Sequence, residues 1–199
     1  VATGNQGKLA EYRRLLAGSG VEPASPADIG LDLEVDEDGA TFLANSQKKA
    51  REYAAASGMA VLADDSGLVV KALGGEPGVR SARYGGPGLD DAGRCALVLR
   101  RLAGVGDRAA RFVCVVSLAR PGAPVRDVFV GTCEGRIGRE PRGHGGFGYD
   151  PIFVFPDGRT MAELPEEEKD QRSHRGLAVR ELLAAVGLPR WAAQGEAAS

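Results

Sequence analysis

The chain has 199 residues, 43% of them hydrophobic and 26% charged, which is the profile of an ordinary soluble globular protein with room for a sizeable core. Its net charge of −2 lacks the basic excess that a broad nucleic-acid surface needs, so any anionic ligand must be met by a local cluster of cations. No stretch is apolar for long enough to span a membrane and no signal-peptide pattern opens the chain, so no membrane partner is expected and the cytoplasm is the expected compartment. The three cysteines, Cys95, Cys114 and Cys133, are widely spaced and form no Cys-x-x-Cys pair. They read as small buried hydrophobes rather than zinc ligands or a disulfide framework. No internal repeat or long low-complexity linker interrupts residues 1–199, which read as one domain.

In chain order, Val1-Ala2-Thr3-Gly4-Asn5-Gln6-Gly7-Lys8 comes first. Leu9, Tyr12, Leu15 and Leu16 then share one face at helical spacing. A loop with two glycines therefore runs into a helix N-terminus, which suits an anion and is assisted by Lys8. The loop is no P-loop: its glycines are three apart and Leu9 follows the lysine. An ordinary cap by Asn5 or Thr3 explains the same residues. Val1 and Ala2 read as the end of a strand, with an earlier natural start expected. Leu31, Leu33 and Val35 alternate with acids and predict a half-buried strand ending in Asp36-Glu37-Asp38-Gly39. Thr41 caps a helix that carries Phe42, Ala50 and Tyr53 on one face and Asn45 and Lys49 four apart on another side. Lys49 is either a solvated lysine or a cation directed at phosphate.

Ala63-Asp64-Asp65-Ser66-Gly67 lies between the apolar runs Ala60-Val61-Leu62 and Leu68-Val69-Val70. Adjacent carboxylates at a strand end can hold a hard ion such as Mg²⁺ together with substrate phosphates. A turn in which Asp and Ser cap backbone groups fits as well. Residues 73–86 form a long loop with five glycines, a proline, and Arg80 and Arg83, which suit either a phosphate clamp or structural ion pairs. Asp90 opens a helix with Cys95, Val98, Leu99 and Leu102 on its buried face. Strands are predicted over 111–118 and 125–132, turning at Pro121-Gly122. Gly143, Gly145 and Gly148 satisfy Gly-x-Gly-x-x-Gly, but Pro151 and the strand-like Ile152-Phe153-Val154-Phe155 follow where a dinucleotide site needs a helix. The loop instead reads as one that lets a flat ligand approach backbone. Phe147 or Tyr149 could stack on a base and Asp150 accept its N–H groups; a core aromatic pair is the alternative. Lys169 precedes a last helix capped by Ser173, carrying Leu182, Leu183 and Val186 and stopping at Gly187. His174 and Arg175 in its first turn are cations at the positive end of the dipole, which calls for a compensating anion. Residues 188–199 read as a frayed tail.

Five motifs, Thr3-Gly4-Asn5-Gln6-Gly7-Lys8, Ala63-Asp64-Asp65-Ser66-Gly67-Leu68, Pro77-Gly78-Val79-Arg80-Ser81-Ala82-Arg83-Tyr84, Phe147-Gly148-Tyr149-Asp150-Pro151 and Ser173-His174-Arg175-Gly176, occur in this order. Together they resemble the non-canonical purine nucleoside triphosphate pyrophosphatases, also called dITP/XTP or inosine triphosphate pyrophosphatases. The resemblance implies Mg²⁺-dependent hydrolysis of dITP, ITP and XTP to the monophosphate and pyrophosphate. It implies an α/β fold, an elongated mixed β-sheet flanked by helices in two lobes with a central active-site cleft, and a homodimer. Asp65 matches the residue that deprotonates the attacking water and also a metal ligand. Asp36 matches the second acidic metal ligand, usually Glu and here one methylene shorter. Thr3, Gly4, Asn5, Gln6, Gly7, Lys8, Asn45, Lys49, Ser66 and Lys169 match the phosphate end, and Glu37 matches a polar residue there. Phe147, Gly148, Tyr149, Asp150, His174 and Arg175 match the base pocket, with Arg175 or a backbone N–H expected to meet a 6-oxo group. Ala44 departs from the Glu common in the family.

Two other readings compete. A non-catalytic purine-nucleotide binding module would share the pocket without a metal-linked acid. A phosphomonoesterase with an Asp nucleophile is disfavoured, because Asp64-Asp65-Ser66 lacks the Asp-x-Asp spacing.

Overall fold

Thr41 and Asn5 each do what the sequence expects of a helix cap. Asn5 Oδ1 accepts the Lys8 N–H at 3.0 Å, and the helix α1 (Gln6–Leu15) follows. Thr41 Oγ1 accepts the Ala44 N–H at 3.1 Å at the start of α2 (Phe42–Ser57), which ends on the left-handed Gly58. The computed structural model describes residues 1–188. Most of the expected tail, residues 189–199, lies outside the described residues.

The architecture is mixed α/β. Four strands, β1 (Val61–Val70), β2 (Ala109–Ala119), β3 (Asp127–Ile137) and β4 (Phe153–Val154), form one sheet in the order β1-β2-β3-β4. Strand β4 runs antiparallel to β3, with Ile137 opposite Phe153. Helices α3 (Asp91–Arg101), α4 (Glu166–Arg172) and α5 (His174–Ala185) complete the regular structure, with short 3₁₀ turns between. No helix among the described residues is long and apolar enough to cross a membrane.

The chain divides into two compact units, although it reads as one domain. Unit 1 comprises residues 1–65, 114–131 and, among the described residues, 175–188. Its core joins Tyr12, Leu15 and Leu16 of α1 to Cys114 and Val116 of β2 and to Ala178, Val179, Leu182 and Leu183 of α5. A second cluster sets Ala50 and Ala54 of α2 against Ala2, Val61, Ala63 and Ala119. Small residues there let helix and strand backbones approach closely. Unit 2 comprises residues 66–113 and 132–174. Its centre is aromatic: the Phe112 ring lies 4.8 Å from that of Phe153, which meets Phe155 edge-on at 5.5 Å. Cys95, Cys114 and Cys133 are all buried free thiols, as expected.

Two expectations change. Residues 31–35 alternate in exposure but form no strand. Among their backbone groups, the Leu33 carbonyl accepts the Tyr53 hydroxyl and the Leu31 N–H donates to the Pro26 carbonyl, so local partners replace a ladder. The loop over 73–86 is also partly organised, by a 3₁₀ turn Gly78–Arg83. Ser81 fixes that turn: its Oγ accepts the Leu68 N–H at 2.9 Å and donates to the Gly78 carbonyl at 2.7 Å. This packing is why Gly67 follows Ser66, since a Cβ there would lie 2.4 Å from both the Gly78 carbonyl oxygen and Ser81 Oγ. Gly67→Ala is expected to cost about 1–3 kcal/mol of stability by this overpacking. Equilibrium denaturation reads it, and an unchanged midpoint would contradict the packing described.

Candidate active site

In unit 1, β1 delivers Asp64 and Asp65 to a buried place, 1% and 4% exposed. The two carboxyls have opposite surroundings. Asp64 Oδ2 lies 2.9 Å from Lys8 Nζ and 3.2 Å from Arg175 Nη2. Burial alone would push the Asp64 carboxyl up, but the charges of Lys8, Arg175 and Lys49 outweigh it and hold the group well below the usual carboxylate range. Arg175 is also ion-paired to Glu11 of α1, and both are almost fully buried. The anion that a cation in the first turn of α5 calls for is therefore supplied by the protein, as Glu11 and Asp64.

Asp65 is pushed up to about 6, first by burial and then by the charge of Glu37; the hydrogen bond from Asn45 and the charges of Lys8 and Lys49 pull the other way. Asn45 is itself fully buried and its amide is oriented by its contacts. Gly39 N–H donates to Asn45 Oδ1 at 2.7 Å, which leaves the Asn45 amide nitrogen to donate to Asp65 Oδ2 at 2.9 Å. Lys49 of α2 is paired with Glu37, and the charges of Asp64, Glu37 and Asp65 outweigh burial to raise its pKa. A solvated helix lysine does not fit a residue only 8% exposed.

The loop before α1 is shaped by its own side chains, with Asn5 N–H donating to Thr3 Oγ1 at 3.1 Å. Gly4, Asn5 and Gln6 are exposed at the N-terminus of a ten-residue helix, where N–H groups and the dipole favour an anion. Asp36 is exposed, and the acid whose charge Asp65 feels is Glu37. The donors suit a hard divalent ion: a buried carboxylate raised by burial and a second acid is relieved by a cation, and oxygen ligands suit Mg²⁺. Among the described residues no group of three or more His, Cys, Asp and Glu could hold a metal, so an ion here would need phosphate or water oxygens as well.

In unit 2, the glycine loop brings together Phe147, Gly148, Tyr149, Asp150 and Lys169. Asp150 Oδ2 accepts the Phe147 N–H at 2.9 Å and Lys169 Nζ at 2.7 Å. The Lys169 ammonium lies 4.9 Å from the centroid of the half-buried Phe147 ring. A Cβ at Gly146 would sit 2.0 Å from Asp150 Oδ2, so the carboxylate occupies the space a side chain would take. Tyr149 points to the core, its hydroxyl donating to the Ser81 carbonyl at 2.8 Å. Of the two aromatics expected to stack on a base, Phe147 remains at the surface of the loop. His174 is buried and stacks on Phe112, with ring centroids 4.7 Å apart and planes at 9°. Ser66 is half-buried, and Arg80 and Arg83 are exposed.

Arg175, expected at the base, is paired with Asp64 and Glu11 within unit 1. Glu11 was not anticipated. Its only sequence signal is an acid next to Tyr12 on a helix face that is otherwise apolar.

The model of the Ham1 family matches residues 1–185. The dITP/XTP pyrophosphatase of Gloeobacter violaceus is 51% identical over 186 residues, covering 92% of this chain and 91% of that protein. The structure of a HAM1 protein from Coxiella burnetii has a TM-score of 0.84 at 42% identity, covering 94% of this chain and 96% of that one. A nucleoside-triphosphatase / dITP/XTP pyrophosphatase from Mycobacterium abscessus has a TM-score of 0.73 at 48% identity, covering 92% and 96%.

The buried ion cluster gives a direct test. Arg175→Met keeps an apolar stem but removes a buried cation shared by Asp64 and Glu11, and is expected to cost about 3–5 kcal/mol of stability. A chemical-denaturation midpoint equal to that of the wild type would show that the cluster is not maintained by Arg175.

Proposed function

The chain belongs to the Ham1 family, and we propose on that premise that it hydrolyses the non-canonical purine nucleoside triphosphates dITP, ITP and XTP to the monophosphate and pyrophosphate. The observation that carries the chemistry is the pair of adjacent carboxyls with opposed proton affinities, Asp64 held as an anion and Asp65 raised to about 6. Neighbouring titratable groups pushed apart in this way mark the division of labour of an acid–base site.

Asp64 is the fixed charge. It binds Lys8 and Arg175 and so anchors the start of α1 to β1. Asp65 is the base: a carboxylate that is comparatively willing to take a proton accepts it from the attacking water. Asn45 holds one Asp65 oxygen in place, which aims the other part of the carboxylate. Release of pyrophosphate requires cleavage of the α–β anhydride bond, with negative charge growing on the leaving group. The N–H groups at the start of α1, Lys8 and Lys49 are the unit 1 groups suited to that charge. Mg²⁺, when bound, would neutralise phosphate charge and polarise the phosphoryl group. Asp65 with Glu37, or with Asp36 as the resemblance implies, would hold it.

In unit 2 the reading assigns the purine to Phe147, Gly148, Tyr149 and Asp150, together with His174, and leaves Lys169 to the phosphates. Phe147 offers a flat face. An N–H donor, a backbone amide or the Arg175 guanidinium, suits a 6-oxo acceptor and is mismatched to the 6-amino group of adenine. A homodimer and a cytoplasmic location belong to the same reading, on the strength of the resemblance.

Pyrophosphate release should be measured from dITP, XTP, dGTP and dATP, each with Mg²⁺ and with EDTA. Metal-dependent release that is much faster from dITP and XTP is expected. ITP binding without any pyrophosphate would favour the non-catalytic module instead. Asp65→Asn should lower kcat by about 10²–10⁴-fold while the fold persists; turnover near that of the wild type would remove Asp65 from the role of base.

A further inference from the structure

The Gly148 peptide is held from both sides by one turn of helix α3. Gly148 N–H donates to Asp91 Oδ2 at 2.7 Å. The Gly148 carbonyl accepts the Cys95 thiol at 3.3 Å. Asp91 and Cys95 are four apart, so they share one helix face. The Asp91 carboxylate is itself oriented, because Arg94 bonds to its other oxygen and also to the Leu89 carbonyl. Cys95 is 3% exposed, and burial followed by the charges of Asp91 and Asp150 pushes its thiol up to about 12. At neutral pH it is therefore an S–H group and can donate. Gly148 has φ +62°, a left-handed conformation that other residues rarely adopt.

On its other side the same loop is held by Asp150, which takes the Phe147 N–H and Lys169. The N–H groups of Phe147 and Gly148 thus each end on a carboxylate, and the Phe147 ring stands between two fixed peptide units. We propose that Asp91, assisted by Cys95, is a positioning residue that sets the Phe147–Gly148 backbone, and through it the Phe147 ring that meets the purine. The proposal rests on the assignment of the purine to this loop. Asp91 does not touch the substrate in this scheme; its effect reaches the base through Gly148. An acid in the first turn of a helix is ordinarily explained by the helix dipole, and that explanation requires no contact with residue 148.

The experiment compares wild type, Asp91→Ala, Asp91→Asn and Cys95→Val by steady-state kinetics on dITP, with inorganic tripolyphosphate as a competitive inhibitor. Thermal midpoints are recorded alongside. Losing a hydrogen bond to a charged group should raise the KM of Asp91→Ala for dITP about tenfold, with kcat changed far less. Asp91→Asn keeps an oxygen for the Gly148 N–H and should recover most of that loss. Cys95→Val should show a smaller rise of the same kind. The inhibition constant of tripolyphosphate, which has no base, should stay unchanged in all three. Wild-type turnover with an unaltered dITP KM in Asp91→Ala, or a parallel loss of tripolyphosphate binding, would overturn the positioning role alone. No turnover by the wild type on any triphosphate would overturn the functional reading, and this inference with it. If Asp91→Ala does not fold, the contrast between Asp91→Asn and Cys95→Val decides by the same readouts.

Discussion

Unit 1 depends on a buried anion, the Asp64 carboxylate, and on the cations that keep it charged. An isolated carboxylate at that depth would protonate or unfold its surroundings. Here Lys8 from α1 and Arg175 from α5 meet it, and Glu11 takes the other side of Arg175. Two helices far apart in sequence, α1 and α5, are thereby tied to one atom of β1. One residue later the balance differs. At Asp65, burial and the charge of Glu37 outweigh the Asn45 hydrogen bond and the charges of Lys8 and Lys49. The neighbour of a permanently charged acid becomes the acid that can exchange a proton.

Unit 2 solves a different problem, that of giving a glycine-rich loop one conformation. Glycines cost more backbone entropy to order than any other residue. The loop recovers definition from side chains outside it: Asp150 and Lys169 on one side, Asp91 and Cys95 on the other. Gly146 shows why the glycines are needed all the same, since its missing Cβ is where the Asp150 carboxylate sits.

Much of this was legible in the sequence because local rules governed it. Thr41 and Asn5 cap their helices as their side-chain chemistry dictates, and the Asp64-Asp65 run after an apolar stretch does lie on a buried strand. The order of five motifs identified the family. What escaped were pairings set by tertiary structure. Residues 31–35 have the alternation of a strand, yet alternation reports burial and not the presence of a ladder partner. Tyr149 and Phe147 are indistinguishable as aromatic residues in a loop until one of them finds the Ser81 carbonyl. Nothing local to Arg175 reveals its pairing with Glu11, 164 residues away. Asp91 presented as an ordinary first-turn acid for the same reason.

The three buried thiols bear on how the protein withstands electrophiles. Burial comes first among the causes that push Cys95 and Cys133 up to about 12, and it raises Cys114 as well. The nucleophile in alkylation and peroxide oxidation is the thiolate, and at neutral pH a thiol with such a pKa is ionised in only about one molecule in 10⁵. The cysteines of this fold are thus expected to react slowly with maleimides, iodoacetamide and hydrogen peroxide while it stays folded, which would make thiol labelling a gauge of its opening.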